Sequence, residues 1–291
     1  DNIDPGALQI VARLQAAGHR AVLAGGCVRD LLLGRVPADW DIATDAATDR
    51  IMSLFERTTA VGERFGIVAV LLGKRSYEVA QFRREGPYSD GRRPDHVAPA
   101  DPQQDAERRD FTINGMFHDP SGDGLIDFVG GQRDLAEGLI RAIGKPQARF
   151  AEDGLRTLRA IRFATRLNFR IDAATWTALV LAAPTIKRIS SERVRDELTR
   201  IWTEGGAAHG LELMFEAGLL QHVLPEVAAM KGVPQPAEFH PEGGVWEHVR
   251  LMMASIDILV DPSPTLAWGV LLHDIGKPPT FQPSSATAAR I

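Results

Sequence analysis

The 291-residue chain is 44% hydrophobic and 24% charged, an ordinary balance for globular protein and enough apolar material for two or more compact units. Its formal net charge of −5 does not advertise a nucleic-acid binder, and no apolar run approaches the roughly 18 residues that a bilayer demands. A single cysteine, Cys27, excludes an intrachain disulfide framework and fits a reducing cytoplasm, and the N-terminus lacks a basic-then-apolar signal pattern.

Residues 7–17 carry helical spacing that stops at Gly18, and Ala21 to Ala24 form a short apolar strand running into Gly25–Gly26. A second helix starts at Val28 and ends near Gly34. Trp40 to Ala43 have the character of a buried strand, and 45–57 return to helical spacing. Segments 65–72 and 76–83 are rich in β-branched or aromatic residues and predict paired strands joined by Gly73–Lys74–Arg75. Through 84–106 Gly, Pro, Asp and Arg dominate and apolar periodicity vanishes, which predicts a long loop that is either functional or disordered. Strand character resumes over Thr112 to Phe117 and Leu125 to Phe128. From about residue 147 strands give way to helices, broken by an irregular stretch at 231–244 before a last pair that includes 246–260 and 265–275. The pattern predicts an α+β fold: a mixed sheet with helices over 1–145, a helical neck over 146–205 and a helical body over 206–291.

Three groups of residues carry chemistry. Asp39 and Asp41 flank Trp40, and on a strand such i, i+2 side chains share a face, so two carboxylates converge on one point. Mg²⁺ takes oxygen ligands and keeps room for substrate phosphates, which suits the pair; alone, an Asp-x-Asp is common on exposed turns. The Gly25–Gly26 turn ahead of a helix lets a phosphate approach backbone amides without interference from Cβ, and Arg29 offers a charged donor; a tight turn is its plain alternative. Glu78, on the strand over 76–83, is either a third acidic member or an exposed strand residue. The second group is Arg109 and Asp110, ahead of a strand. In the third, Glu152–Asp153–Gly154–Leu155–Arg156 opens a helix on which Arg156, Arg159, Arg162 and Arg166 fall within an arc of about 120°. Such a face meets something anionic or remains in water. Asp153 and Arg156 are spaced as an ordinary helix ion pair. They also match a base reader: a carboxylate accepting from an amino group beside a guanidinium donating to a ring nitrogen takes cytosine or adenine and rejects guanine and uracil.

The string LAGGCVRDLLLG followed by ADWDIAT, the run Glu107–Asn114 and the Glu-Asp-x-x-Arg segment at Glu152–Arg156 resemble, in order, the motifs of the class II tRNA nucleotidyltransferases. That family includes the CCA-adding enzymes and bacterial poly(A) polymerases, within the polymerase-β-like superfamily. The resemblance spans roughly residues 20–275. It implies a Mg²⁺ site at Asp39 and Asp41, and triphosphate contacts at Gly25, Gly26 and Arg29. It also implies sugar and phosphate contacts at Arg109 and Asp110, and nucleotide contacts at Asp153, Arg156, Arg159 and Arg162. The implied activity is template-independent addition of C and A to the tRNA 3′ acceptor end from CTP and ATP, with A addition or poly(A) synthesis as the alternative. The segment Asp90–Pro94 resembles the flexible loop of CCA- and A-adding members, and the neck and body helices, including the stretch Ser191–Glu197, would support the nucleotide pocket and hold the acceptor end. Nothing in the pattern demands an obligate protein partner or a membrane.

Trp246–Glu247–His248 and Leu272–His273–Asp274–Ile275–Gly276–Lys277 resemble the HD metal-dependent phosphohydrolases, implying a divalent-ion site at His248, His273 and Asp274. That superfamily needs a further distal Asp, and none is obvious before Ile291, so a partial HD region is expected, with HD hydrolysis as the rival activity. The polar ending suggests that a further RNA-binding segment follows. A non-catalytic RNA-binding protein is the third reading, disfavoured because binding alone gives no reason for Asp39 and Asp41 beside a phosphate-binding turn.

Overall fold

The computed structural model describes residues 3–62, 66–88, 94–122 and 124–281. It divides into two compact units, Asp1–Asp153 and Gly154–Ile291. The first is built on a seven-stranded mixed sheet. Helix α1 (Pro5–Ala16) starts where Asp4 accepts hydrogen bonds from the amides of Gly6 and Ala7, with Pro5 in the first turn, and buries Ala7, Ile10, Val11 and Leu14. Strand β1 (Ala21–Ala24) is buried throughout and leads through Gly25 into α2 (Gly26–Leu32). Then come β2 (Asp41–Thr44), α3 (Thr48–Leu54), β3 (Thr58–Gly62), β4 (Ile67–Leu72) and β5 (Arg75–Gln81). The sheet closes with β8 (Met116–Asp119) and β9 (Gly124–Asp127), after a separate ribbon of β6 (Arg83–Glu85) and β7 (Val97–Pro99). Its order is β3-β4-β5-β2-β1-β8-β9. Strands β2 and β5 run parallel with Asp41 opposite Glu78, while β1 is antiparallel to both β2 and β8. Under the sheet, Val22, Ala24, Ala43, Phe82, Ala106 and Phe117 form a buried cluster in which the Phe82 and Phe117 rings meet edge to face at 5.8 Å.

Several elements depart from the pattern expected of the sequence. The stretch 84–106 is not a plain loop: it holds most of the β6–β7 ribbon and the start of helix α4 (Pro102–Glu107). Asp101 caps α4 by accepting from the Gln104 amide, with Pro102 at the first helical position. Asp90–Arg93 lie outside the described residues. Thr112–Asn114 form a 3-10 turn rather than strand, because Asp110 accepts from the Phe111 amide and the Asn114 side chain and curls the chain before β8 begins. Helix α5 (Gly131–Ala136) and α6 (Pro146–Glu152) complete the unit, so the chain divides at Asp153/Gly154 rather than near Lys145–Pro146.

The second unit is helical: α7 (Leu155–Leu167), α8 (Ala173–Ala182), α9 (Ser191–Thr203), α10 (Ala207–Glu216), the short α11 (Leu220–Val223) and α12 (Pro225–Ala228), then α13 (Val245–Ile256), α14 (Pro264–Leu272) and α15 (Lys277–Thr280). Helix α7 ends at Asn168, whose left-handed conformation closes the last turn. Leu158, Ile161, Leu198, Ile201, Trp202, Leu211, Met214 and Leu271 are buried, so the neck and body helices share one unit. Trp202 meets Trp268 edge to face at 6.4 Å, and Trp268 donates its indole N–H to Thr199. No described helix is long and apolar enough to cross a membrane.

Candidate active site

In the first unit, β2 delivers Asp41 at its first residue, with Asp39 exposed just ahead of it and Glu78 alongside on β5. Neighbouring strands stand roughly 4.8 Å apart, so the paired Asp41 and Glu78 repel one another. Burial, then Glu78 and Asp39, push the Asp41 carboxyl up to about 6, against the opposing pull of Arg109. Glu78, for which the sequence left two roles open, is an exposed strand residue whose charge also acts on Asp41. A hard divalent cation among these oxygens would relieve their repulsion, so the donor chemistry fits Mg²⁺. Asp39, Asp41 and Glu78 are nevertheless not drawn into a set whose ligand atoms all lie within 4.8 Å of one another.

The turn between β1 and α2 faces this acidic group. Gly25 has φ +74° and ψ −127°, and a Cβ there would lie 2.7 Å from Arg109 Nη1. Backbone conformation and close approach therefore both require glycine. We predict that Gly25→Ala lowers stability by about 1–2 kcal/mol and weakens nucleotide binding by displacing Arg109; denaturant melts and a nucleotide titration check both effects. Cys27, behind the turn, donates to the Ala24 carbonyl at 3.3 Å, and burial pushes its thiol up to about 11. It is a packing group rather than a nucleophile or metal ligand.

Arg109, Arg29 and Asp110 sit in a common polar network, in different roles. Arg109 is the cation beside Gly25 and Asp41. Asp105 holds its guanidinium at 3.0 Å and the Phe117 ring lies beneath it at 5.1 Å. Burial opposes ionisation of Asp105, but Arg109, Arg108 and the Arg83 amide overcome this and hold its carboxyl below the ordinary carboxylate range. Arg29, read from the sequence as a triphosphate donor, is only 3% exposed; it pairs with Asp30 at 2.8 Å and donates to Asn114 Oδ1 at 2.6 Å. Asp110 is buried and holds Asn114 in turn. Arg29, Asn114 and Asp110 thus form a hydrogen-bonded chain that ties α2 to the 3-10 turn. Asp105 and Asn114 were not singled out in the sequence, although the Asp105–Arg108–Arg109 spacing of three and four is that of helix ion pairs.

In the second unit, the arginine face of α7 meets carboxylates of its own protein. Arg162, expected to contact nucleotide, is 3% exposed and lies 2.7 Å from Glu197 and 3.5 Å from Glu204. Arg159 is 3.8 Å from Glu197 and stacks near Phe163, and Arg166 pairs with Glu204 at 3.3 Å. Arg156 is buried at the start of α7, and Asp153 ends the first unit immediately before Gly154. Away from this helix, His248 on α13 and His273 and Asp274 after α14 come together with their ligand atoms within 4.8 Å of one another.

Residues 21–141 match the family described as "Poly A polymerase head domain", and residues 168–231 match "Probable RNA and SrmB- binding site of polymerase A". A curated CCA-adding enzyme of Geobacillus thermodenitrificans is 42% identical over 223 residues, covering 76% of this chain and 55% of that protein. One of Lactobacillus helveticus is 36% identical over 253 residues, covering 85% of this chain and 63% of that protein. The chain therefore spans little more than half the length of the curated relatives it matches. Among solved structures, the Bacillus stearothermophilus CCA-adding enzyme in complex with CTP aligns with a TM-score of 0.71 at 31% identity, over 96% of this chain and 73% of that one. A tRNA nucleotidyltransferase complexed with a primer tRNA and an incoming ATP analog aligns at 0.64 and 28%, over 84% of this chain and 74% of that one. With the acidic group beside the glycine turn, these matches establish that the chain belongs to the class II tRNA nucleotidyltransferase family of CCA-adding enzymes and poly(A) polymerases.

Proposed function

We propose that this protein is a Mg²⁺-dependent nucleotidyltransferase that adds C and A to the tRNA 3′ end from CTP and ATP, releasing pyrophosphate, in the cytoplasm. The observation that carries the reading is the group of like-charged carboxylates, Asp39, Asp41 and Glu78, beside a side-chain-free turn guarded by Arg109. The CTP-bound and tRNA-bound relatives support the substrate class. Asp39 and Asp41 would hold the metal, with Glu78 as neighbouring carboxylate. When bound, Mg²⁺ polarises the α-phosphate and eases deprotonation of the attacking 3′-hydroxyl.

The chain's own residues do the remaining work. Gly25 and Gly26 leave room for a triphosphate, and Arg109, held by Asp105, offers it a fixed positive charge. Arg29 and Asp110 act behind them by keeping α2 and the 3-10 turn at a fixed spacing. Asp153 accepts from the amino group of C or A while Arg156 donates to the ring nitrogen, and Arg159 contributes a further cation. Arg162 supports Arg159 through the carboxylate of Glu197 that they share. Asp153→Ala is expected to erode the preference for C and A over G and U more than it weakens metal binding. Incorporation of each nucleotide tests it, and an unchanged preference would sink the base-reading assignment.

A addition or poly(A) synthesis is the alternative within the family. The clustering of His248, His273 and Asp274 favours a second reading, an HD-type metal centre with phosphohydrolase activity. Phosphatase activity that survives Asp39→Ala supports that reading, and its absence from the metal-loaded protein excludes it.

A further inference from the structure

The irregular stretch before α13 places two side chains beside His248 that the motif reading did not include. His240 Nδ1 lies 3.0 Å and His248 Nδ1 2.6 Å from the same carboxylate oxygen, Glu242 Oε1. The two imidazole rings meet edge to face at 5.1 Å, and all three ligand atoms lie within 4.8 Å of one another. Donors around a tetrahedral ion with bonds of ~2.0 Å stand roughly 3.3 Å apart, so small adjustments would seat an ion among these three. All three residues are half-buried, open enough for an ion to enter and sheltered enough to hold it.

The surroundings extend the same donor set. His273 is 5.3 Å from His248, ring to ring, and its Nδ1 lies 2.7 Å from the Val270 carbonyl. That carbonyl can only accept, so His273 Nδ1 carries a proton. Asp274 is buried, and its Oδ2 makes no aligned hydrogen bond, although His273 Nε2 is at 3.3 Å and Lys277 Nζ at 2.7 Å. Three imidazoles and two carboxylates thus gather at one end of α13. Imidazole-rich donor sets select Zn²⁺ and its transition-metal neighbours over Mg²⁺.

We propose that His240, Glu242 and His248 bind one divalent transition-metal ion, a centre separate from the carboxylate site of the first unit. It depends neither on nucleotidyl transfer nor on HD hydrolysis. A metal-bound Nδ1 carries no proton, so each bound imidazole keeps its proton on Nε2.

The test is titration of the metal-stripped chain with Co²⁺, followed by its visible absorption, and with Zn²⁺ by calorimetry. Wild type and Asp41→Asn are expected to bind the ion equally, with nitrogen-ligand Co²⁺ bands. His240→Ala and Glu242→Gln each lose the event or weaken it at least tenfold, while a His273→Ala/Asp274→Asn double variant retains it. Circular dichroism of the stripped variants checks that each is folded, and Glu242→Asp, which keeps the carboxylate, is expected to recover part of the affinity. Absence of binding, or binding unaffected by His240→Ala and Glu242→Gln, overturns the proposal. So does loss of all binding in the His273→Ala/Asp274→Asn protein, because Glu242 and His240 then only orient His248 for an ion held elsewhere.

Discussion

Asp41→Asn is expected to reduce nucleotide addition on the order of a thousandfold, the loss of about 4 kcal/mol of transition-state stabilisation, while making the metal-free protein more stable. The two effects have one cause. Burial first, then Glu78 and Asp39, disfavour the Asp41 carboxylate and raise its carboxyl from 3.8 to about 6. A carboxyl whose folded value is raised contributes stability that is present below its unfolded value and lost as pH rises through the folded one. The metal-free wild type is therefore penalised progressively between about pH 4 and pH 6, by of order 3 kcal/mol when the change is complete. Asparagine has nothing to ionise. Melting curves in chelator should coincide for the two proteins near pH 4 and separate above pH 6, with the variant higher; identical curves at pH 7 contradict the electrostatic picture. Saturating Mg²⁺ should narrow the gap by stabilising the wild type, because a ligand that binds only the native state adds to its stability.

Glu197→Ala should strongly destabilise the helical unit. Glu197 is 6% exposed and Arg162 3%, with 2.7 Å between them. Burial depresses the Arg162 guanidinium below its ordinary value despite the favourable pull of Glu197. Removing one partner of such a pair leaves a buried charge uncompensated, which costs about 3–5 kcal/mol, whereas replacing both partners with apolar residues of similar volume is often close to neutral. Urea denaturation should therefore rank Glu197→Ala well below wild type, and Arg162→Met/Glu197→Leu above the single variant. Equal losses in the two proteins contradict the pairing argument. Arg159 also loses the Glu197 carboxylate, 3.8 Å away, in Glu197→Ala, so nucleotide affinity should fall with stability.

These two sites also mark how far the sequence could be read. The strand at Ala21–Ala24 and the helical character of the second half were legible because apolar periodicity reports burial directly. Asp39, Asp41 and Glu78 were legible as residues, but the parallel β2–β5 pairing that sets Glu78 opposite Asp41 is a long-range contact that no local pattern carries. The arginine stripe of α7 showed that an anion must face it. That the anions are Glu197 and Glu204, contributed by α9, depends on how two helices pack. Arg29 shows the same limit: its motif suggested a ligand contact, and the pairing of its guanidinium with Asp30 and Asn114 is a contact that no local pattern carries. Helix α4 was missed although its cap, Asp101–Pro102, was in plain view, because the Gly, Pro and charged residues around it mask a six-residue helix. His240 and Glu242 lie in an irregular stretch where side-chain direction has no period, and only the fold brings them to His248.

The proposed role of the first-unit carboxylates is untemplated addition of C and A to tRNA. Its most direct test supplies the protein and Mg²⁺ with tRNAs ending before CCA, after C and after CC, adding CTP and ATP separately, and reads product lengths beside Asp39→Asn and Asp41→Asn controls. Extension by CTP is expected on the first two substrates, by a single A on the third, and none with either control. Extension of every substrate by ATP alone into long tails, or products undiminished in the Asp41→Asn protein, would contradict it.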